Sequence, residues 1–402
     1  MIYITAVVGL YKRGLLNSVA INPLFFTAGV VVIACFSTPL FENDHYRYLW
    51  EGKLLLNGFN PYLYPPNAPE LAHILFSEKA HIAFNTLTTI YPPLALIWFG
   101  LGGMLDFNSG MTLLMLLNGA LVYLIFSRLK GKVTPWHLVL VFPFLQKEYV
   151  QAIHIDLLAA TFILIYLTTL TTAANTNLWR RSLMGLVYIS ASFWTKILGI
   201  VLLPFLFFST PSTIRKKPVF IALLVITLLS LPLFIVYISD GNLSGFKSFS
   251  ANWVWNPGFY SLLTSLFDTP TEQARIYTFI GYGLYLVAIA VLLLRQLKDS
   301  KWSLKIDESW LYIYLIFAGL MFFTPVYNPW YAIWLLGPAL LMRHLPGVFY
   351  AAFSCWSYIA YGSEEFLVAG ELLTHVWFVV SLGVLLHQRW HTGSGVSTNS
   401  NP

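Results

Sequence analysis

A chain of 402 residues with 57% hydrophobic, 17% aromatic and only 10% charged residues carries too little charge to clothe a soluble surface of that size, which excludes a water-soluble globular enzyme. The net charge of +6 does not point to nucleic acid, because Lys and Arg gather in small clusters between apolar runs and form no basic stripe. Cys35 and Cys355 both lie inside apolar runs, so neither a disulfide framework nor a cysteine metal site is indicated.

The apolar runs recur at lengths near the roughly 20 residues that an α-helix needs to cross a hydrocarbon core, without the short alternating strands of a barrel. The fold class is therefore all-α and polytopic. Spans are expected near 19–40, 111–127, 134–147, 156–173, 182–196, 197–210, 219–238, 276–294, 309–323, 330–342, 346–361 and 367–386, about twelve in all. The first follows Lys12 and Arg13. It is too long for a signal peptide and lacks a small-residue cleavage site, so it reads as a retained helix.

With the N-terminus in the cytoplasm, sixteen of the 23 Lys and Arg residues fall inside and seven outside, as the positive-inside bias requires. Both termini are then cytoplasmic. Residues 1–390 form one transmembrane domain, 40–110 its long outer loop, and 391–402 a tail whose Ser, Gly, Asn and Thr content predicts disorder. Within the loop, residues 90–105 are apolar enough to cross. Counting them as a span would turn Arg128, Lys130 and Lys132 outward, so they are expected as a re-entrant or interfacial helix with Pro92 and Pro93 in its first turn. Basic clusters at 180–181 and 215–217 bracket a hairpin that turns near Lys196, leaving an ammonium at the outer end where the charge bias does not place one.

Residues able to carry chemistry collect at these outer ends. Read as a helix, the stretch from Asp44 to Lys53 puts Asp44, Arg47, Tyr48 and Glu51 on one face; the simplest account is an amphipathic helix at the membrane surface. A carboxylate there can accept a proton from a hydroxyl and the neighbouring Arg can hold a phosphate, or the two can form an ion pair that anchors the loop. Residues 57–66 are rich in Gly, Asn and Pro and specify turns. Their aromatics fit the headgroup region better than a sugar site. Glu148, His154 and Asp156 sit at a membrane boundary, where ionisable groups mark function by default. Their spacing matches no metal-ligand signature, so hydrogen bonding to a substrate is expected before divalent-metal binding, and no cofactor is required. Lys196 can neutralise a phosphate or snorkel to the interface. Tyr327 and Trp330 in one outer turn, with Trp253 and Trp255 in another, suit a substrate site or an aromatic belt. Glu364 and Glu365 read as solvated ends.

Several of these stretches together resemble polytopic glycosyltransferases of the GT-C fold, and in particular bacterial mannosyltransferase-like proteins that use polyprenyl-phosphate sugars. The pieces are the nine residues from Asp44 to Gly52, Gly58-Phe59-Asn60-Pro61-Tyr62, Tyr91-Pro92-Pro93-Leu94, Glu148 with His154-Ile155-Asp156, Thr195-Lys196 and Pro329-Trp330-Tyr331. Ile153 stands where that pattern has Asn or Gly, and Glu51 where Asp is common. The resemblance implies a hexosyltransferase, mannose foremost, that works on the extracytoplasmic face of a bacterial inner membrane. Its partners would be a polyprenyl-phosphate sugar donor, a lipid or glycan acceptor and the membrane lipids. Asp44 would be the catalytic base, with Arg47, Tyr48, Glu51, Glu148, His154, Asp156, Lys196, Tyr327 and Trp330 binding substrate or phosphate. The rival readings are a transporter or lipid flippase and an inactive scaffold relative. A carrier places its polar residues near the bilayer midplane, often in repeated halves. Here they lie at outer ends, and no duplication is visible.

Overall fold

The computed structural model describes residues 22–129, 145–172, 178–210, 214, 217, 220, 221, 224, 244–299, 306–361 and 367–393. Most of the spans expected at 134–147 and 219–238 lies outside the described residues, as do Lys12, Arg13, Glu364, Glu365 and the tail from 394. Among the described residues every regular element is helical, and Trp255 and Val326 form a lone β-bridge.

In chain order the helices are α1 (Pro23–Cys35), α2 (Asp44–Leu56), α3 (Pro93–Gly103), α4 (Phe107–Leu129), α5 (Asp156–Thr172), α6 (Leu178–Thr195), α7 (Leu203–Ser209), α8 (Ser244–Asn252), α9 (Phe259–Leu266), α10 (Thr271–Asp299), α11 (Ile306–Phe323), α12 (Ile333–Leu341), α13 (Leu345–Phe353) and α14 (Leu367–Gly393). A π-helical turn, Leu145–Gln151, precedes α5; short 3₁₀ segments, Ile197–Leu202 and Pro329–Ala332, lead into α7 and α12, and a third, Ser354–Tyr361, follows α13. Among the described residues three helices are long and apolar enough to cross a membrane, Phe107–Arg128, Thr271–Lys298 and Val368–Gln388. Shorter apolar helices accompany them, and together they mark a membrane protein.

The elements that carry the site are placed by α2. Expected to lie on the membrane surface, it is instead enclosed on two sides. Tyr48 and Leu49 enter the main core, while Trp50 and Leu54 pack under a cap of loop residues that includes Leu71 and Ile82. On the core side α2 crosses α3 at backbone contact. A Cβ on Gly52 would strike the Phe99 carbonyl, and one on Gly103 would strike the backbone of Lys53. Close approach of this kind needs glycine on both helices. Gly52→Ala is therefore expected to destabilise the protein by roughly 1–3 kcal/mol through overpacking, read as a lowered unfolding midpoint in detergent.

Pro92 and Pro93 begin α3 as the sequence predicts. Tyr48 stacks on Phe99 (centroids 4.5 Å apart) and meets Tyr91 edge-on (5.3 Å). In the turns before α3, Tyr62 is buried, and its hydroxyl donates to the Tyr91 carbonyl at 2.6 Å. It braces the loop from within the protein.

Candidate active site

The start of α2 opens onto a cavity of about 610 Å³. Asp44, Arg47, Tyr91, Lys196, Trp330 and Tyr331 are among its lining residues, and Phe84, Trp253 and Trp255 add aromatic wall. A carboxylate and an ammonium thus share one cavity, the first from α2 and the second from the break between α6 and the segment Ile197–Leu202, where Lys196 is extended (φ −147°, ψ 126°). Lys196 donates to Asp156 at 3.1 Å and lies 4.9 Å from the Tyr331 ring centre. The second oxygen of Asp156 accepts from Trp334 Nε1 at 3.0 Å, so both carboxylate oxygens are occupied. An ammonium has three donors; Asp156 uses one and fixes the side chain at the cavity wall.

Asp44 is bound by the Tyr48 hydroxyl at 3.3 Å. Burial pushes its carboxyl above the ordinary range, while Lys196 and Arg47 oppose that shift. The result is a more proton-hungry carboxylate than one in water. Arg47 faces the same cavity but is committed to the loop: Nε binds Glu51 at 2.7 Å, Nη2 donates to the Leu87 carbonyl at 2.6 Å, and Nη1 to the Phe84 carbonyl at 3.1 Å. Glu51 does not reach the cavity. Its other oxygen accepts from Thr89 at 2.6 Å, which in turn accepts from the Tyr91 backbone at 3.2 Å. The Arg47–Glu51 pair therefore anchors the loop, the second of the two roles that the sequence left open.

Beneath Asp44 lies a second layer. Tyr48 also contacts His154 Nδ1 at 3.0 Å, and the His154 ring lies flat on Trp330, with centroids 4.1 Å apart. Glu148 is reached by the Tyr358 hydroxyl at 2.9 Å and Lys147 at 3.0 Å. Tyr48, Glu148, His154 and Asp156 are buried and support the lining residues from behind. Among the described residues no three His, Cys, Asp or Glu side chains gather as a metal site. Tyr327 is turned away: it is fully buried, and its hydroxyl donates to the Tyr350 carbonyl at 3.3 Å.

Residues 30–210 match the family described as alpha-(1->6)-mannopyranosyltransferase, N-terminal domain. The match covers less than half of the chain; it is to a glycosyltransferase family and bears out the resemblance to GT-C mannosyltransferases. The matched segment contains Asp44, Glu148, His154, Asp156 and Lys196, whereas Trp330, Tyr331 and Trp334 lie beyond it. No curated protein and no solved structure matches the chain.

Within the matched segment, Ile153 sits at φ 51°. That left-handed backbone costs an L-residue roughly 1–2 kcal/mol, more so when β-branched, and is the conformation that Gly and Asn take most readily. The turn is what swings His154 under Tyr48 while Asp156 begins α5 facing Lys196. Sequence reasoning missed Trp334 and Thr89. Trp334 follows Trp330 by four residues and so falls on the same helical face, a signal that was present; the pairing of Thr89 with Glu51 depends on a loop return that no local pattern encodes.

Proposed function

We propose that the chain transfers a hexose, mannose before others, from a polyprenyl-phosphate donor to a hydroxyl of a lipid or glycan acceptor at the extracytoplasmic face of a bacterial inner membrane. The observation that carries this reading is the cavity shared by Asp44 and Lys196. In the proposed step the acceptor oxygen attacks the anomeric carbon as its proton passes to the Asp44 carboxylate. The bond from that carbon to the phosphate oxygen breaks, and the phosphate leaves with the electron pair beside Lys196. Arg47, Glu51 and Asp156 position these groups, and Trp330 and Tyr331 offer faces to the sugar. Configuration inverts at the anomeric carbon, so an alpha-(1->6) product, the kind named in the family description, calls for a β-linked sugar phosphate.

A lipid-linked donor fits a site outside the cytosol, where nucleotide sugars are not available. The layout belonging to this reading has about twelve spans, both termini in the cytoplasm and residues 40–110 outside. In it α3 is a re-entrant helix; its 11 residues extend about 16 Å, half a hydrocarbon core. A transporter would gather its polar groups at the midplane, whereas Asp44 follows α1 by only eight residues of turn.

The test is incubation of membranes containing the protein with radiolabelled β- and α-linked polyprenyl-phosphate mannose, and with the β-linked glucose donor. Label is expected to move from β-linked mannose and not from its α anomer. Transfer from none of the three would remove this reading, and transfer from the α anomer alone would remove the inverting displacement.

A further inference from the structure

The second layer behind Asp44 contains an arrangement that the displacement itself does not use. The Tyr48 hydroxyl has one hydrogen and two acceptors within reach, Asp44 Oδ2 at 3.3 Å and His154 Nδ1 at 3.0 Å, while the Tyr91 hydroxyl donates to Tyr48 at 3.3 Å. On the far side of the imidazole, His154 Nε2 lies 3.7 Å from Glu148 Oε2. Both atoms are buried, and neither has a hydrogen-bond partner. Glu148 Oε1, by contrast, is held by donors, Tyr358 and Lys147. Four side chains thus run in line from the cavity to a buried carboxyl: Asp44, Tyr48, His154, Glu148.

Resting on the reading of Asp44 as the base, we propose that Glu148 governs that base from behind, by selecting the ring nitrogen of His154 that carries the proton and so deciding whether the Tyr48 hydrogen goes to Asp44 or to His154. With Glu148 ionised, the imidazole proton sits on Nε2, facing the carboxylate. Nδ1 is then an acceptor and takes the Tyr48 hydrogen, leaving Asp44 without its hydrogen bond and more basic. With one more proton in the line, held on Glu148 Oε2, that oxygen becomes a donor to Nε2. The ring proton moves to Nδ1, which donates to the Tyr48 oxygen, and Tyr48 donates to Asp44. The extra proton can come from Asp44 itself: it passes to the Tyr48 oxygen as the Tyr48 hydrogen moves to Nδ1 and the Nε2 hydrogen to Glu148. No proton is gained or lost in that transfer.

The surroundings hold the balance close. Burial raises the Glu148 carboxyl and lowers the His154 imidazole well below its usual range, so the ring stays neutral and must choose one nitrogen. Charged and titratable groups facing the line are Lys147, Tyr358, Tyr149 and Cys355 at Glu148, Lys147, Lys196 and His45 around His154, and Lys196, Arg47, Asp156, Glu51, Tyr91 and Tyr331 around Asp44. Trp330, stacked on the imidazole, keeps the ring from turning over. Glu148, His154 and Tyr48 are positioning residues, since none of them lines the cavity.

The experiment is a double-mutant cycle read on the acid limb of kcat/KM against pH. In Glu148→Gln the amide oxygen keeps Tyr358 and Lys147, so its NH₂ faces Nε2 and locks the Tyr48 hydrogen onto Asp44. The acid limb is expected to fall by about one pH unit. Tyr48→Phe cuts the line between His154 and Asp44, so adding Glu148→Gln to Tyr48→Phe should leave the limb where Tyr48→Phe alone places it. Should Glu148→Gln fold poorly, His154→Phe keeps the stack on Trp330 and gives the same test in place of Tyr48→Phe, with Tyr358→Phe as the perturbation at Glu148. A shift of equal size in both backgrounds, or no shift in either, overturns the proposal. An Asp44→Asn protein with full turnover would instead defeat the assignment of the base and is separately visible.

Discussion

Replacing Asp44 with Asn is expected to reduce sugar transfer by about 10²–10⁴-fold, the range of a lost general base, with the fold intact. The amide keeps the size of the carboxyl and an oxygen to accept from Tyr48, which binds Asp44 at 3.3 Å. It cannot take a proton. Because the proposed step needs the ionised carboxylate and burial raises its pKa from the ordinary 3.8, the wild-type rate should decline on acidification above the usual carboxylate range, and the variant should lack that limb. Turnover and pH profile of purified protein in lipid nanodiscs, beside a melting curve, check this. An Asn variant that turns over at the wild-type rate would leave the chain without its base, and the inactive-scaffold reading would then stand in its place.

The next largest effect is expected at Lys196. Asp156 is fully buried, so Lys196→Met strands a carboxylate that retains only Trp334. Breaking a buried ion pair on one side costs roughly 3–5 kcal/mol. Adding Asp156→Asn removes the stranded charge while keeping an acceptor for the indole, and should restore most of the stability. Transfer should remain low in the double variant, because nothing then offsets the departing phosphate. Denaturant midpoints in detergent and transfer assays on the same preparations separate the two contributions. Recovery of transfer along with stability would reduce Lys196 to a packing element.

The all-α character, the membrane setting and several of the residues that line the cavity were legible in the sequence. Helix 44–56 was visible because its polar face repeats at helical spacing, and Pro92-Pro93 announced the start of α3. Lys196 stood out because an outer ammonium runs against the charge bias. What could not be read was depth. Spacing puts Arg47 and Glu51 on the face of Asp44, yet the first is bound by carbonyls more than 35 residues away and the second by Thr89. Tyr327 and Trp330 share one short turn, but the first is buried against Tyr350 and the second stacks on His154. Such partners come from distant segments, and sequence periodicity is silent about which side of a loop meets which helix.

The cavity is assembled from both ends of the chain. Asp44 and Lys196 lie within 30–210, while Phe249, Trp253, Trp255, Asn328, Trp330 and Tyr331 come from beyond residue 244. In the proposed step, bond making falls to residues of the matched segment, and most of the aromatic wall comes from beyond it. Swapping that later portion between related enzymes is therefore the natural route to new sugar preferences with the reaction left in place.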